Sequence, residues 1–145
     1  MRTSEKGRAI IKHFEGFRSH AYRCSANVPT IGYGTTIIGG KPVVMGMTIS
    51  QQRAEELLTE DLIKFEKVVT NSVKVPLTQN MFDALVSFVY NVGEHNFKSS
   101  TLLKKLNGLE YVETSDEFER WVYANKRKIR GLVIRRRKEK ELFCE

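Results

Sequence analysis

Long apolar runs are missing from this 145-residue chain: nothing approaches the roughly 18 consecutive apolar residues that a membrane-spanning helix needs. The N-terminus, Met1-Arg2-Thr3-Ser4-Glu5-Lys6, has no apolar core of a secretory signal, so the chain is expected to stay in the cytoplasm unless something lets it out. Cysteine is scarce as well. Cys24 and Cys144 are too few and too far apart in sequence for a metal site or a disulfide framework, and both are expected to be reduced thiols. The three histidines, His13, His20 and His95, show no ligand-like spacing and are read as surface or packing residues. Internal repeats, low-complexity tracts and linkers are absent, and a chain this long can bury one core, so a single domain over 1–145 is expected. Acids are outnumbered: 17 Asp and Glu against 24 Lys and Arg leave a charge of +7. That balance favours anionic partners such as nucleic acid, lipid headgroups or an acidic wall polymer, without choosing among them.

What is present is periodic. Thr3 or Ser4 can cap a first helix with Ala9, Ile10 and Phe14 on one face, and Gly16 suits its stop. Glu15 then sits in the last turn, where the helix carbonyls disfavour a carboxylate and favour its protonated form. Residues 17–46 carry aromatic and β-branched residues punctuated by Pro29, Gly32, Gly34, Gly39, Gly40, Pro42 and Gly46, which predicts a small antiparallel sheet or hairpin lobe. Thr48-Ile49-Ser50-Gln51 reads as a capping box with Thr48 at the cap. The spacing of Ala54, Leu57, Leu58, Leu62, Phe65 and Val69 predicts a long amphipathic helix after it. Thr78 recaps the chain after Pro76, and the run from Met81 to Tyr90 is apolar on nearly every side, as in a central core helix ended by Gly93. A short capped helix is expected after Ser99-Ser100, stopped by Gly108. Thr114-Ser115-Asp116-Glu117 reads as another capping box, opening a helix that carries Phe118, Trp121 and Val122. From Asn125 to Lys140 nine Lys and Arg residues stand against one acid, Glu139.

Three blocks in this order resemble the phage-type lysozymes, the endolysin family of glycoside hydrolases: Glu15-Gly16 with Cys24 and Thr30-Ile31-Gly32-Tyr33-Gly34, then Leu77 to Gly93, then Gly131-Leu132-Val133-Ile134-Arg135-Arg136. The resemblance covers essentially the whole chain. It implies an α+β, mainly helical, lysozyme-like two-lobe fold, with a small N-terminal β-sheet lobe and a C-terminal helical lobe. In that family the acid is followed nine residues on by Asp and six further on by Thr; here Glu15 and Thr30 fill the outer places and Cys24 replaces Asp. Thr35 departs too, at a position where many members have His.

Cleaving a glycosidic bond takes a proton for the leaving oxygen and a group on the other face of the sugar to meet an oxocarbenium-like centre. Glu15 has the position for the acid, although a helix-end glutamate facing solvent would be the plain structural alternative. The resemblance gives Thr30 the placing of the attacking water, and an inverting reaction would have that water activated by whatever occupies position 24. Cys24 is therefore a catalytic candidate, with a small packing side chain as its alternative. Sugar contacts implied by the resemblance are Thr36, Tyr90, Asn91 and Thr101; Tyr90 fits a core role equally well. Arg135 or Arg136 is expected to orient Glu15.

The function this implies is a muramidase, a hydrolase of the β-1,4 bond between N-acetylmuramic acid and N-acetylglucosamine in peptidoglycan, acting as a monomer without metal or cofactor to release phage from its host. With no export segment it would leave the host cytoplasm through a holin-type pore. A nucleic-acid-binding module is the rival from another class, resting on Lys126 to Lys140, but no helix-turn-helix, zinc or RNA-binding motif accompanies that run, and no nucleic acid partner is expected. A catalytically dead wall binder is a third reading, prompted by Cys24. The same basic stretch, with Leu132, Val133 and Ile134 inside it, is also a candidate for contact with an anionic membrane surface, against a solvated helix as the ordinary alternative.

Overall fold

The computed structural model describes every residue from Met1 to Glu145. Its first helix, α1 (Glu5–Glu15), starts where the sequence predicts, but Thr3 and Ser4 are not local caps. Thr3 donates its backbone N–H and its hydroxyl to Glu66 Oε2 at 2.8 and 2.7 Å. Ser4 donates its N–H to Asp83 Oδ1 at 3.0 Å and its hydroxyl to the other oxygen of the same carboxylate. Donors at the start of the chain are thus satisfied by two buried acids far along it, which local spacing cannot reveal. The helix stops as expected: Gly16 donates to Lys12 O at 2.9 Å and takes a φ of 73°, a left-handed conformation that costs glycine little.

Strands β1 (Arg18–Arg23) and β2 (Pro29–Gly32) form one antiparallel pair, and β3 (Ile37–Ile38) and β4 (Lys41–Pro42) another. The second is closed by Gly39 and Gly40 at φ 57° and 80°, the two positive values that a tight two-residue hairpin turn demands. This is the predicted hairpin region. Helix α2 (Gln51–Ser72) follows, with a corrected cap: Ser50 Oγ accepts from Arg53 N–H at 3.1 Å, whereas Thr48 is drawn into a bridge with His20. Its stripe of Ala54, Leu57, Leu58, Leu62 and Val69 is buried.

Contacts divide the chain into two compact units, Ile11–Lys64 and a larger one made of Met1–Ile10 with Phe65–Glu145. The smaller unit packs Ile11, Ile31, Tyr33 and Val43 with the first four buried residues of the α2 stripe. In the larger unit, α3 (Gln79–Val92) is capped by Thr78, whose hydroxyl accepts from Met81 N–H at 3.1 Å, and is buried without interruption from Met81 to Val89. Around the Phe88 ring lie Phe118 at 5.2 Å, Trp121 at 5.6 Å and Phe97 at 6.4 Å. Each of the buried phenylalanine rings contributes about 1.5–3 kcal/mol relative to leaving it in water. Helices α4 (Glu94–Lys98) and α5 (Thr101–Asn107) come next, the latter capped by Ser100 and stopped at Gly108 as predicted.

Two expectations fail beyond this point. Helix α6 (Tyr111–Glu117) begins three residues before the supposed capping box, and the Thr114 hydroxyl, inside the helix, donates back to Glu110 O at 2.7 Å. The chain then tightens into a 3-10 turn, Phe118–Arg120, which brings Phe118 into the core. The basic stretch does not start in a helix either: β5 (Tyr123–Ala124) and β6 (Arg127–Lys128) make a hairpin, and α7 (Arg130–Cys144) opens only after it. Within α7 the weak apolar periodicity has a physical reason. Arg135, Arg136 and Glu139 are buried together, Arg136 Nη1 donating to Glu139 Oε1 at 2.7 Å and Arg135 Nε to Oε2 at 3.2 Å. Ser87 of α3 completes the cluster with a 2.6 Å hydrogen bond from its hydroxyl to Glu139 Oε2.

Candidate active site

Three predicted positions lie in the smaller unit and share one local frame. Glu15 is the last residue of α1 and half-buried, with Gly16 turning the chain straight into β1. Cys24 follows β1 at the mouth of a five-residue turn closed by the Asn27 N–H to Cys24 O bond of 2.8 Å and the Cys24 N–H to Val28 O bond of 3.1 Å. Thr30, on β2, is buried. The Val28 N–H foremost, then the Ala26 N–H and the Thr30 hydroxyl, hydrogen-bond the Cys24 sulfur and hold its thiol below the ordinary value, against a smaller opposing effect of burial. Successive amides of a turn aimed at one atom make an anion-binding concavity, and here the anion it favours is the thiolate.

Thr30 has one proton to give. Its hydroxyl lies 2.8 Å from Val28 O, to which it donates when the sulfur is a thiol, and it also reaches the sulfur, where donation stabilises the thiolate. In either state its oxygen keeps lone-pair capacity to accept from a water. Cys24 and Thr30 thus flank one turn, and the Thr30 hydroxyl is among the groups that lower the thiol.

A residue not foreseen from the sequence stands among them. Tyr22 pairs across the ladder with Thr30, and Arg18 lies over its ring at 4.6 Å. Burial raises the Tyr22 phenol most; the Arg18 charge lowers it, and the negative charges of Glu15 and Cys24 raise it again, so both of those groups lie within electrostatic reach of it. In a regular strand residues four apart stand about 13 Å from each other. An irregularity in the β1 register falls between Arg18 and Tyr22, whose side chains meet there, and no sequence signal marks it.

Thr35, the position at which the family often has His, is buried and donates to Asp61 Oδ2 at 2.6 Å. Burial pushes the Asp61 carboxyl up, Thr35 pulls it partly back, and neighbouring Glu60 adds to the rise. A short neutral donor thus stands in for an imidazole. Thr36, next in the chain, is half-buried, and its carbonyl accepts from Val43 N–H at 2.8 Å.

The remaining predicted positions belong to the larger unit. Tyr90 and Asn91 are at the C-terminal end of α3. The Tyr90 ring packs edge-on against Phe65 at 5.1 Å, and Asn91 accepts a hydrogen bond from Arg136 Nη2. Arg136 also donates to Trp121 O at 2.8 Å. Thr101 opens α5 with its side chain exposed. Tyr90 and Asn91 are thus adjacent and supported from behind, while Thr101 stands on a separate helix. His13, His20 and His95 are exposed, and no set of three or more His, Cys, Asp and Glu side chains is gathered as metal ligands. No helix is long and apolar enough to cross a membrane.

Residues 12–139 match the phage lysozyme family model. The endolysin of Acyrthosiphon pisum secondary endosymbiont phage 1 is 43% identical over 147 aligned residues, covering 99% of this chain and 98% of that protein. Among solved structures, the endolysin from Escherichia coli O157:H7 phage FAHEc1 superposes with a TM-score of 0.92 at 43% identity, over 100% of this chain and 94% of that one. The muramidase domain of SpmX from Asticaccaulis excentricus gives a TM-score of 0.89 at 34% identity, over 99% and 98%. With the acid at a helix end, the thiol and threonine on one hairpin and a family match along nearly its whole length, the chain belongs to the phage lysozyme family and is a glycoside hydrolase of the lysozyme type.

Proposed function

We propose that the protein is an endolysin muramidase that hydrolyses the β-1,4 bond between N-acetylmuramic acid and N-acetylglucosamine in peptidoglycan, and so lyses the host at phage release. What supports the reading is the placement of Cys24 and Thr30 at one hairpin, on the same unit as a helix-terminal Glu15, in a chain of the phage lysozyme family. The muramidase domain among its structural relatives supports the choice of bond.

In this reading Glu15 donates its proton to the glycosidic oxygen as the bond to C1 breaks. The Thr30 oxygen accepts a hydrogen bond from a water, and the Cys24 thiolate takes a proton from that water as it attacks C1. Glycan and water balance: the leaving sugar gains Glu15's proton, the other keeps the hydroxyl, and the Cys24 proton returns to Glu15 through solvent. Thr36, Tyr90, Asn91 and Thr101 are the candidate sugar contacts. The enzyme acts as a monomer, without a cofactor, and reaches the wall from the host cytoplasm through a holin-type pore.

The test is clearing of purified peptidoglycan followed by borohydride reduction of the products. Reduced muramic acid is expected at the new ends; reduced glucosamine would assign the other β-1,4 bond and overturn the reading. Glu15→Gln is expected to lower clearing by a factor of about 100–10,000 or more, the range for loss of a positioned acid, with an unchanged circular dichroism spectrum.

A further inference from the structure

Four exposed cations without an ion pair lie on one hairpin or directly after it. From Trp121 to Lys138 there is no Asp or Glu. Of the cations in that stretch, Arg135 and Arg136 are buried against Glu139, and Lys138 pairs with Glu141 at 3.8 Å. Lys140, just beyond, is spent on Asp116 and Glu119 at 3.0 and 2.6 Å. Lys126, Arg127, Lys128, Arg130 and Arg137 remain, all exposed and all without an ion pair, and the first four lie on the hairpin or directly after it.

The hairpin displays these cations in an ordered way. Tyr123 pairs with Lys128 and Ala124 with Arg127, so alternation along the strands places Tyr123 and Lys128 on one face and Arg127 on the other. Tyr123 is 62% exposed, and Ile129, next to the strand end, is 39% exposed. At the tip Asn125 and Lys126 take φ values of 52° and 66°, the two left-handed residues of a tight hairpin turn. Asparagine tolerates this conformation. The second position is ordinarily glycine, because a side chain there is strained. Keeping a lysine in it holds a charge at the outermost point at the expense of backbone strain, an outlier that folding does not require.

We propose that the hairpin Tyr123–Lys128, continued by Ile129 and Arg130, docks on the phosphate-bearing surface of an anionic phospholipid bilayer. Cations around an exposed tyrosine, with an aliphatic side chain beside them, match a membrane–water interface: the phenol sits at headgroup level and the charges meet phosphates. A nucleic acid offers the same phosphates, but the hairpin has a single aromatic for base stacking. Further along α7, Arg135 and Arg136 are turned into the core and only Arg137 is exposed without an ion pair, so the hairpin and not the rest of the helix is the lipid-facing element. The proposal is independent of which wall bond the enzyme cuts.

Binding of the full chain to phosphatidylcholine vesicles, with and without phosphatidylglycerol, tests it in low salt by co-sedimentation. The wild type is expected to sediment only with the anionic vesicles. Lys126→Gly keeps the turn and relieves its strain, so it should melt no earlier than the parent and bind about fivefold more weakly, the value of one cation at an anionic surface. Combining it with Arg127→Gln and Lys128→Gln should weaken binding on the order of a hundredfold. All variants should retain the parent's circular dichroism spectrum and its rate of clearing purified, membrane-free peptidoglycan. Equal binding to neutral vesicles, or undiminished binding by the triple variant, overturns the proposal. So does a triple variant that loses affinity for duplex DNA while the wild type ignores both vesicles. Failure to clear peptidoglycan alongside anionic-selective vesicle binding would count against the muramidase reading alone.

Discussion

At Cys24 a thiol stands where a carboxylate would be ionised throughout the neutral range, and the surrounding turn lessens the difference. The Val28 and Ala26 amides and the Thr30 hydroxyl stabilise the charged sulfur, so thiolate forms as pH rises through a value below that of an ordinary thiol. If that thiolate is the base, activity rises with pH on a limb centred below the free-thiol range and falls once Glu15 loses the proton it donates. Cys24→Asp should move the rising limb out of the neutral range, because an ordinary aspartate ionises near about 3.9. Thr30→Val deletes one of the donors and should move the limb upward, whereas Thr30→Ser should leave it in place. Profiles of peptidoglycan clearing against pH, from about 5 to 9, measure all three. Cys24→Ala is expected to be slower by a factor of about 100–10,000. Full activity of Cys24→Ala over that range would mean that the position only packs. Alkylation should inactivate the parent and spare Cys24→Asp, with the label mapped because Cys144 is the more exposed thiol.

At the scale of elements, α3 and α7 are joined by charge as well as by rings. Glu139 is fully buried between two arginines, and Ser87 supplies one further donor. Removing the serine hydroxyl takes away one neutral donor, whereas removing the carboxylate leaves two buried guanidinium groups with less to balance them. Ser87→Ala should therefore cost about 1–3 kcal/mol of unfolding free energy, and Glu139→Ala about 3–5 kcal/mol. Urea unfolding of the two variants checks the order; near-equal losses would show that the cluster is held by packing alone. A contrasting case is α1, whose glycine at position 7 leaves no room for a side chain. A Cβ there would lie 2.8 Å from Asp83 Cβ and from Thr3 Cγ2, crowding the acid that holds Ser4. Gly7→Ala should cost about 1–3 kcal/mol in the same measurement, the range for overpacking.

For the molecule as a whole, the two units differ in what protects their backbones. The larger contains nine consecutive buried residues of α3 ringed by aromatic side chains. The smaller relies on two-stranded ladders, two of whose strands have only two residues each. Native-state hydrogen exchange should therefore find the slowest amides in α3 and distinctly faster ones in β1 to β4, with α2 protected most where Leu57, Leu58 and Leu62 are buried. Uniform protection of the ladders and α3 would contradict this reading of the burial.

Much of the architecture was legible because it is written in local chemistry. Gly16, Gly93 and Gly108 stop helices, Thr78 and Ser100 cap them, and the glycine-punctuated run of residues 17–46 marks the hairpins, all consequences of a residue's own conformational preferences and of its near neighbours. The spacing of Glu15, Cys24 and Thr30 was equally plain, since one helix end and one hairpin carry all three. What only the tertiary structure decided depends on partners distant in the chain or on backbone irregularity. Thr3 and Ser4 bond to Glu66 and Asp83 instead of capping; Arg135 and Arg136 turn inward because Glu139, Ser87 and Trp121 receive them; and Thr35 finds Asp61. Arg18 meets the Tyr22 ring where the β1 ladder is irregular, and Glu15 and Cys24 lie within electrostatic reach of that phenol. A sequence states which groups each residue can satisfy, but burial determines which of them must be satisfied and by whom.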